Sequence, residues 1–361
     1  MLSALFIGLF ITVLIVTSSL ETAFGDSVIA VTPVGEFPQS LEFNPSNNNI
    51  YVANRDSGTI SVIDGATNKV IKNITVGGSP ASMKFNPSNN YTYVANTISN
   101  NISLIDSSTN MVADDIEVGS NPAALEFNPS NNYTYVANAI SNTISVIDSG
   151  TNMVTNDVDV ETSPIALEFN PSNNNIYVAN RDSGTVSVID SNNNTVVDNL
   201  NVESSPIAIE FNPSNNNIYV ANRDSGTVSV IDSTNNTLLN NVVVGTGPIA
   251  IEFNPSNNNI YVANRDSGTV SVIDSTNNTL LNNVVVGTEP IALEFNPSNN
   301  NIFVANVVSN SVSMIDSENN TVAETVDVGS LPVALIFNPS NDGIYVAGTL
   351  TGTDGVVSVI G

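Results

Sequence analysis

The stretch Phe253-Asn254-Pro255-Ser256-Asn257-Asn258-Asn259-Ile260-Tyr261-Val262-Ala263-Asn264 decides the fold, because its opening recurs along the chain. Phe-Asn-Pro-Ser-Asn starts at Phe43, Phe85, Phe127, Phe169, Phe211, Phe253, Phe295 and Phe337, at intervals of 42 residues. Residues 218–246 and 260–288 are identical, so two neighbouring units are near copies. A fixed period of this length implies repeated supersecondary units. Just before the motif, Ile249–Phe253 alternates large apolar residues with small or polar ones, the signature of a strand. Asn-Pro-Ser-Asn is turn chemistry, since proline presets φ and the Asn and Ser side chains bond to nearby backbone. Ile260–Asn264 is a second strand, and Arg265-Asp266-Ser267-Gly268 a hairpin whose glycine supplies positive φ. Thr269–Ile273 makes a third strand, Asp274–Asn278 a turn, and Thr279–Val286 a fourth strand. No window carries a helical period.

Four short antiparallel strands in about 40–45 residues is the spacing of a propeller blade. One such sheet could not stand alone: ordering its backbone costs ~1–2 kcal/mol per residue, and it has no second layer to bury its faces. Neighbouring blades supply that layer on both sides, which explains Ala and Ser alternating with Ile, Val, Phe and Tyr. The chain ends settle the architecture. One strand, residues 27–34, precedes the first motif, and the last motif is followed only by strands ending at residue 360. The reading is all-β: a closed eight-bladed β-propeller of four-stranded antiparallel blades, with the N-terminal strand completing the C-terminal blade. Closure removes both exposed sheet edges.

Tyr51-Val52-Ala53-Asn54 and Tyr261-Val262-Ala263-Asn264, each followed by a Ser-Val-Ile-Asp strand, resemble the YVTN β-propeller repeat, as do the Val286-Gly287 to Pro290 connection and the period. That family is known from archaeal surface-layer proteins. The resemblance spans almost all of residues 27–361, with Ala in place of the Thr of the name. It implies a propeller fold and says much less about function, since relatives include surface proteins, periplasmic propellers and more distant lactonase-like and redox propellers. The better-known members have seven blades, so the count of eight rests on this sequence alone.

Residues 1–25 stand apart. Ala4–Val16 is apolar except at Gly8 and Thr12, and Ala23-Phe24-Gly25 suits a signal peptidase. The expectation is an export signal, with an uncleaved anchor as the alternative; no Lys or Arg precedes the apolar run. Cleavage after Gly25 would leave residues 26–361, a length of eight 42-residue units.

The formal net charge is −27, because Lys and Arg together number only seven. Without clustered cations the chain is not a nucleic-acid binder, and it has no affinity for anionic membranes beyond a possible N-terminal anchor. There is no Cys, His or Trp, which removes thiolate nucleophiles, the Ser-His-Asp triad and histidine-held haem.

Loop position sorts residues onto two rims. The hairpin between second and third strands carries Arg55, Arg181, Arg223 and Arg265, each followed by Asp56, Asp182, Asp224 or Asp266. Arg181, Asp182, Arg223, Asp224, Arg265 and Asp266 occupy consecutive blades and read as a partner-binding arc, since Arg favours interfaces. The plainer reading is a set of solvated hairpin tips. The other rim holds the acceptors Asn90, Asn132, Asn193, Asn235, Asn277 and Asn319, expected glycosylation sites; Asn73 and Asn101 also lie in Asn-x-Ser/Thr. Glu42, Glu126, Glu168, Glu210, Glu252 and Glu294 recur in the innermost strand, interrupted by Lys84 and Ile336. They could concentrate negative potential in the channel or simply bond to backbone. Asp190-Ser191-Asn192-Asn193-Asn194 has part of the spacing of a calcium loop but lacks its Gly and distal Glu, and reads better as an Asx turn.

The expectation from sequence is therefore an exported, non-catalytic surface or envelope platform for binding, adhesion or surface-layer assembly. It would need no cofactor or metal, and its partner would be a protein or glycan at the cell surface. The contrasting reading is a lactonase-like hydrolase with a divalent cation at the channel mouth. An enzyme requires an asymmetric site that breaks the repeat, whereas a platform requires a uniform rim.

Overall fold

A computed structural model describes residues 26–350 and 352–361. The expected export signal, residues 1–25, lies outside them. All regular structure among the described residues is strand: thirty-two strands, numbered β1 to β32 in chain order, form eight antiparallel sheets of four. The first blade is β2 (Pro38–Asn44), β3 (Asn49–Asn54), β4 (Thr59–Asp64) and β5 (Lys69–Thr75). The last combines β30 (Leu331–Asn338), β31 (Gly343–Thr349) and β32 (Gly355–Ile360) with the N-terminal β1 (Val28–Val34). β1 runs antiparallel to β32, with Val31 opposite Ser358 and Val34 opposite Gly355. The first strands of adjacent blades lie side by side around the axis, β2 against β30 included, so the ring is closed.

The turns explain the asparagine content. Within each complete blade the three turns and the connection leading in place a residue in the left-handed region, as at Asn48, Gly58 and Asn68 with φ of 56°, 61° and 56°. Asn tolerates this region because its short side chain bonds locally, and Gly because it lacks Cβ. The Phe-Asn-Pro-Ser-Asn turn is fixed further by its first Asn: Asn254 Oδ1 accepts the Ser256 N–H at 2.8 Å.

The core lies between blades. Tyr51, Ala53, Ile60, Val62 and Ile74 of the first blade pack against Met83, Val94 and Ile105 of the second. Leu41, Ile50, Val52 and Ile63, on the other face, pack against Tyr345, Ala347, Val357 and Val359 of the eighth. Alternate residues of one strand thus serve two different interfaces, which is why both faces are apolar. Each fully buried Val or Ile contributes roughly 1.5–3 kcal/mol.

A polar clamp fixes how neighbours meet. Tyr261 is fully buried, and its hydroxyl donates to Asn320 Oδ1 of the next blade at 2.8 Å. Asn257 Nδ2 donates both to that hydroxyl at 3.0 Å and to the Ser317 carbonyl at 2.9 Å. The seam repeats it: Asn341 Nδ2 donates to the Gly65 carbonyl at 2.7 Å, and the Tyr345 hydroxyl meets Asn68 Oδ1.

Tyr261→Phe should lower unfolding free energy by about 1–3 kcal/mol, because it strands buried hydrogen-bond partners. Tyr345→Phe should lose a comparable amount in urea denaturation. A seam variant as stable as the parent would mean that the ring is not held shut at this point.

Candidate functional site

The second hairpins do share a rim with the inter-blade connections. Arg55 Nε pairs with Asp56 Oδ1 at 2.8 Å and Arg181 Nε with Asp182 Oδ1 at 2.7 Å. Arg265 instead reaches across to Glu289 Oε2 at 2.7 Å, leaving Asp266 aside, because the connection into the next blade carries a carboxylate there. Arg223 makes no ion pair among the described residues and lines a shallow depression with Asp224 and Asp266. These pairs are exposed, and such pairs contribute under about 1 kcal/mol.

On the opposite rim, Asn193, Asn235, Asn277 and Asn319 stand exposed in turns between third and fourth strands. Asn90 and Asn132 are half-buried, in the left-handed conformation, and each takes a hydrogen bond on Oδ1 from the preceding blade, from Ser46 and Ser88. Asp190 Oδ1 accepts from both the backbone and side-chain nitrogens of Asn192, at 2.9 and 2.8 Å. That is an Asx turn, with the carboxylate engaged by its own loop.

The axial channel is the most distinctive site. The glutamates lie on innermost strands and reach the exposed edge of the next blade's innermost strand. Glu42 Oε1 accepts the Phe85 N–H at 2.8 Å, and Glu294 Oε1 the Phe337 N–H at 2.9 Å. Lys84, the single cation at this repeat position, donates from Nζ to Glu126 Oε2 at 2.9 Å. Each carboxyl is walled in by protein yet keeps part of its surface open to the bore, so burial acts through a narrow channel rather than a dry core.

Burial above all, and neighbouring charge after it, raises five of these carboxyls. Burial pushes Glu42 up to about 7, although the Lys84 charge and the Phe85 N–H oppose it. Burial and then the Glu126 charge push Glu168 up to about 8. Burial raises Glu294 to about 7 despite its bond to Phe337. Glu210 and Glu252 are raised well above the ordinary carboxyl value by burial and by neighbouring glutamates. Burial draws Lys84 down, but Glu126, Glu42 and Glu168 together hold it above the usual lysine value.

On the Arg rim the bore opens into a cavity of about 280 Å³ lined by Phe37, Pro38, Gln39, Arg55, Ile291, Val333 and Thr349. Gln39, Ile291 and Val333 hold the same repeat position in blades one, seven and eight, so the cavity faces the axis. The Arg55 guanidinium carbon lies 5.3 Å from the centroid of the Phe37 ring. Gln39 precedes Glu42 by three residues on β2, placing the carboxyl roughly 10 Å further down the bore. A larger groove of about 400 Å³, between β1 and β5, lies on the outer wall away from these carboxyls.

Two family models match, each over about a third of the chain. "Lactonase, 7-bladed beta-propeller" matches residues 73–201, and "Cytochrome D1 heme domain" matches residues 212–334. No curated protein matches the chain in sequence. Among solved structures, hydrazine synthase from Kuenenia stuttgartiensis is similar, with a TM-score of 0.64 at 19% identity, over 78% of this chain and 95% of that one. Dihydro-heme d1 dehydrogenase NirN in complex with DHE gives a TM-score of 0.73 at 16% identity, over 85% of this chain and 69% of that one. The structural likenesses concern the fold.

These matches correct the expectation that the chain is not an enzyme. The models that fit its sequence describe enzyme-type propellers, and a chain without His or Cys still has carboxylate and lysine chemistry. The surface-layer type of the repeat is not among the matches. A haem does not fit: with no His or Cys, and with Met111 and Met153 exposed on outer strands, the channel presents carboxylates and one lysine. Among the described residues no three acidic side chains converge closely enough to hold a metal ion. The Lys84–Glu126 pair was visible in the sequence only as a break in the glutamate series; a lone cation at a conserved spacing among acids was the usable signal.

Stability should fall as pH rises. Carboxyls that bind protons more tightly in the fold than in the unfolded chain favour the fold fully below about 4.5, and that contribution is lost as pH climbs through 7 to 8. Thermal melting should give a higher midpoint at pH 5 than at pH 8, and Glu210→Gln should flatten the difference. A midpoint that is constant or increases over this range would contradict the assignment.

Proposed function

We propose that this chain is a lactonase-like hydrolase that works in its axial channel on small, uncharged lactones or esters. The observation that carries the reading is Lys84, a single ammonium inserted into a ring of glutamates between Glu42 and Glu126. The lactonase match supports it, since residues 73–201 contain Lys84, Glu126 and Glu168. The cavity at the channel mouth adds an entrance that can admit a small ring towards the carboxyls further down the bore, with Gln39 and Arg55 as its polar groups.

The chemistry follows from the pKa pattern. A carboxyl that titrates near 7 is matched to general-base work at neutral pH. Glu42 takes a proton from water as the oxygen attacks the substrate carbonyl. Lys84 faces the negative charge that develops on the carbonyl oxygen. When the ring C–O bond breaks, the departing alkoxide recovers the proton from Glu42, leaving a hydroxy acid. Glu126 is the positioning residue, because its hydrogen bond fixes the Lys84 ammonium. The formal charge of −27 disfavours anionic substrates such as phosphate esters and helps expel the acid product. We further place the enzyme outside the cell, from the expected export signal, and keep the Arg181–Asp266 arc as a surface for a protein or glycan partner.

Purified protein should hydrolyse members of a panel of small lactones, with kcat/KM rising through pH 7. Glu42→Gln and Lys84→Met should each reduce kcat by roughly 10²–10⁴-fold in protein whose circular dichroism shows the parent's strand content. Hydrolysis of none of the panel, or full activity in both variants, would overturn the reading.

A further inference from the structure

Four turns on one rim carry the same arrangement, which the fold itself does not require. Between third and fourth strands, blades four to seven read Asn193-Asn194-Thr195, Asn235-Asn236-Thr237, Asn277-Asn278-Thr279 and Asn319-Asn320-Thr321. Blades one to three make this turn with Thr67, Thr109 and Thr151 in place of the first Asn, and with Lys69, Met111 and Met153 in place of the Thr. The backbone does not register the change. Asn68 and Asn278 sit at φ of 56° and 57°, and Asp64 and Asp274 each accept the N–H two residues on at 2.9 Å. Turn chemistry therefore requires the Asp and the left-handed Asn; the first Asn also accepts the Thr N–H at 3.1 Å in blades four, six and seven, but blades one to three make the same turn without that pair.

That pair is preorganised. The Thr hydroxyl donates to the Asn Oδ1 at 2.6 Å in Asn193, Asn235 and Asn277, and the Asn319–Thr321 bond is of the same kind. Oδ1 is thereby engaged, and Nδ2 lies at the exposed tip, where Asn277 and Asn319 donate from it to Asp274 and Asp316 Oδ2 at 3.1 and 2.6 Å. All four asparagines are exposed. The other four Asn-x-Ser/Thr sites are arranged differently. Asn73 lies within β5, with Oδ1 accepting from Ser61 at 2.8 Å. Asn101 sits in a ladder strand and accepts from Asn96 at 3.0 Å. Asn90 and Asn132 are half-buried in left-handed turns and bonded to Ser46 and Ser88.

We infer that Asn193, Asn235, Asn277 and Asn319 carry N-linked glycans, forming an arc over four consecutive blades on the rim opposite the arginines. The donor is a sugar activated as a diphosphate ester. Nδ2 attacks its anomeric carbon, the new N–C bond replaces the C–O bond to the diphosphate, the diphosphate leaves with the electron pair, and the Nδ2 proton passes to a base of the transferase. Exposed turn tips can enter a transferase cleft, whereas residues held in a ladder cannot without unfolding it.

The test is glycopeptide mass mapping of the full chain purified from its own cells. Sugar adducts are expected on these four asparagines and not on Asn73, Asn90, Asn101 or Asn132. Asn277→Thr, which copies the turn of the first three blades, should lose the adduct at that one site with an unchanged melting temperature. Unmodified peptides at all four positions, or adducts placed instead on the other four, would overturn the inference.

Discussion

Seven of the eight blades lean on the next through a tyrosine clamp that points one way around the ring, Phe303 standing in its place in blade seven, and the rest of the structure depends on that lean. Tyr261 and Asn257 donate forward to Asn320 and Ser317, so the tyrosine hydroxyl, which accepts from Asn257 of its own blade, finds its acceptor only in the next. A directional bond of this kind has no natural end. In an open array the last blade would leave its hydroxyl and amide to water and the apolar face around them uncovered. The chain avoids this by bringing the clamp of its eighth blade, Asn341 and Tyr345, onto Gly65 and Asn68, nearly the whole sequence away. The strand β1 then locks the last blade from outside. Apolar burial supplies most of the stabilisation, and the clamp supplies the register.

The sequence displayed this architecture with unusual openness because it repeats. Strand boundaries, the missing strand at each end and the left-handed asparagines all follow from patterns that recur eight times, so one reading checks another. Rim assignment followed as well, since it needs only the order of turns. What the pattern could not convey was contact between blades. Nothing in Arg265-Asp266 announces that the arginine prefers Glu289; that depends on how close a connection 24 residues later approaches. Likewise, Lys84 read as an irregularity in a glutamate series, because the repeat places these positions around the channel but does not reveal that the ammonium comes within 2.9 Å of Glu126. The enzyme-type kinship was obscured for a related reason. Composition excludes histidine chemistry, but it is silent on what crowded carboxylates do.

Repetition also sets the terms on which a site can arise here. The innermost strand of every blade leaves its N–H groups facing the channel, and a glutamate from the preceding blade is a good cap for one of them, as Glu42 is for Phe85 and Glu294 for Phe337. Applied around the whole ring, that structural solution crowds like charges. Protons held near neutral pH relieve the repulsion in most blades, Ile336 relieves it by removing a carboxyl, and Lys84 relieves it by adding a cation. Only the last two make one sector of the ring different from another. A channel of eight equal glutamates would offer a substrate eight equivalent half-sites and no orientation. With Lys84 on one side of Glu42 and Ile336 on the other, the bore acquires a direction, polar towards blades two and three and apolar towards blade eight. The asymmetry that chemistry needs thus enters at the positions where the electrostatic strain of the repeat is relieved.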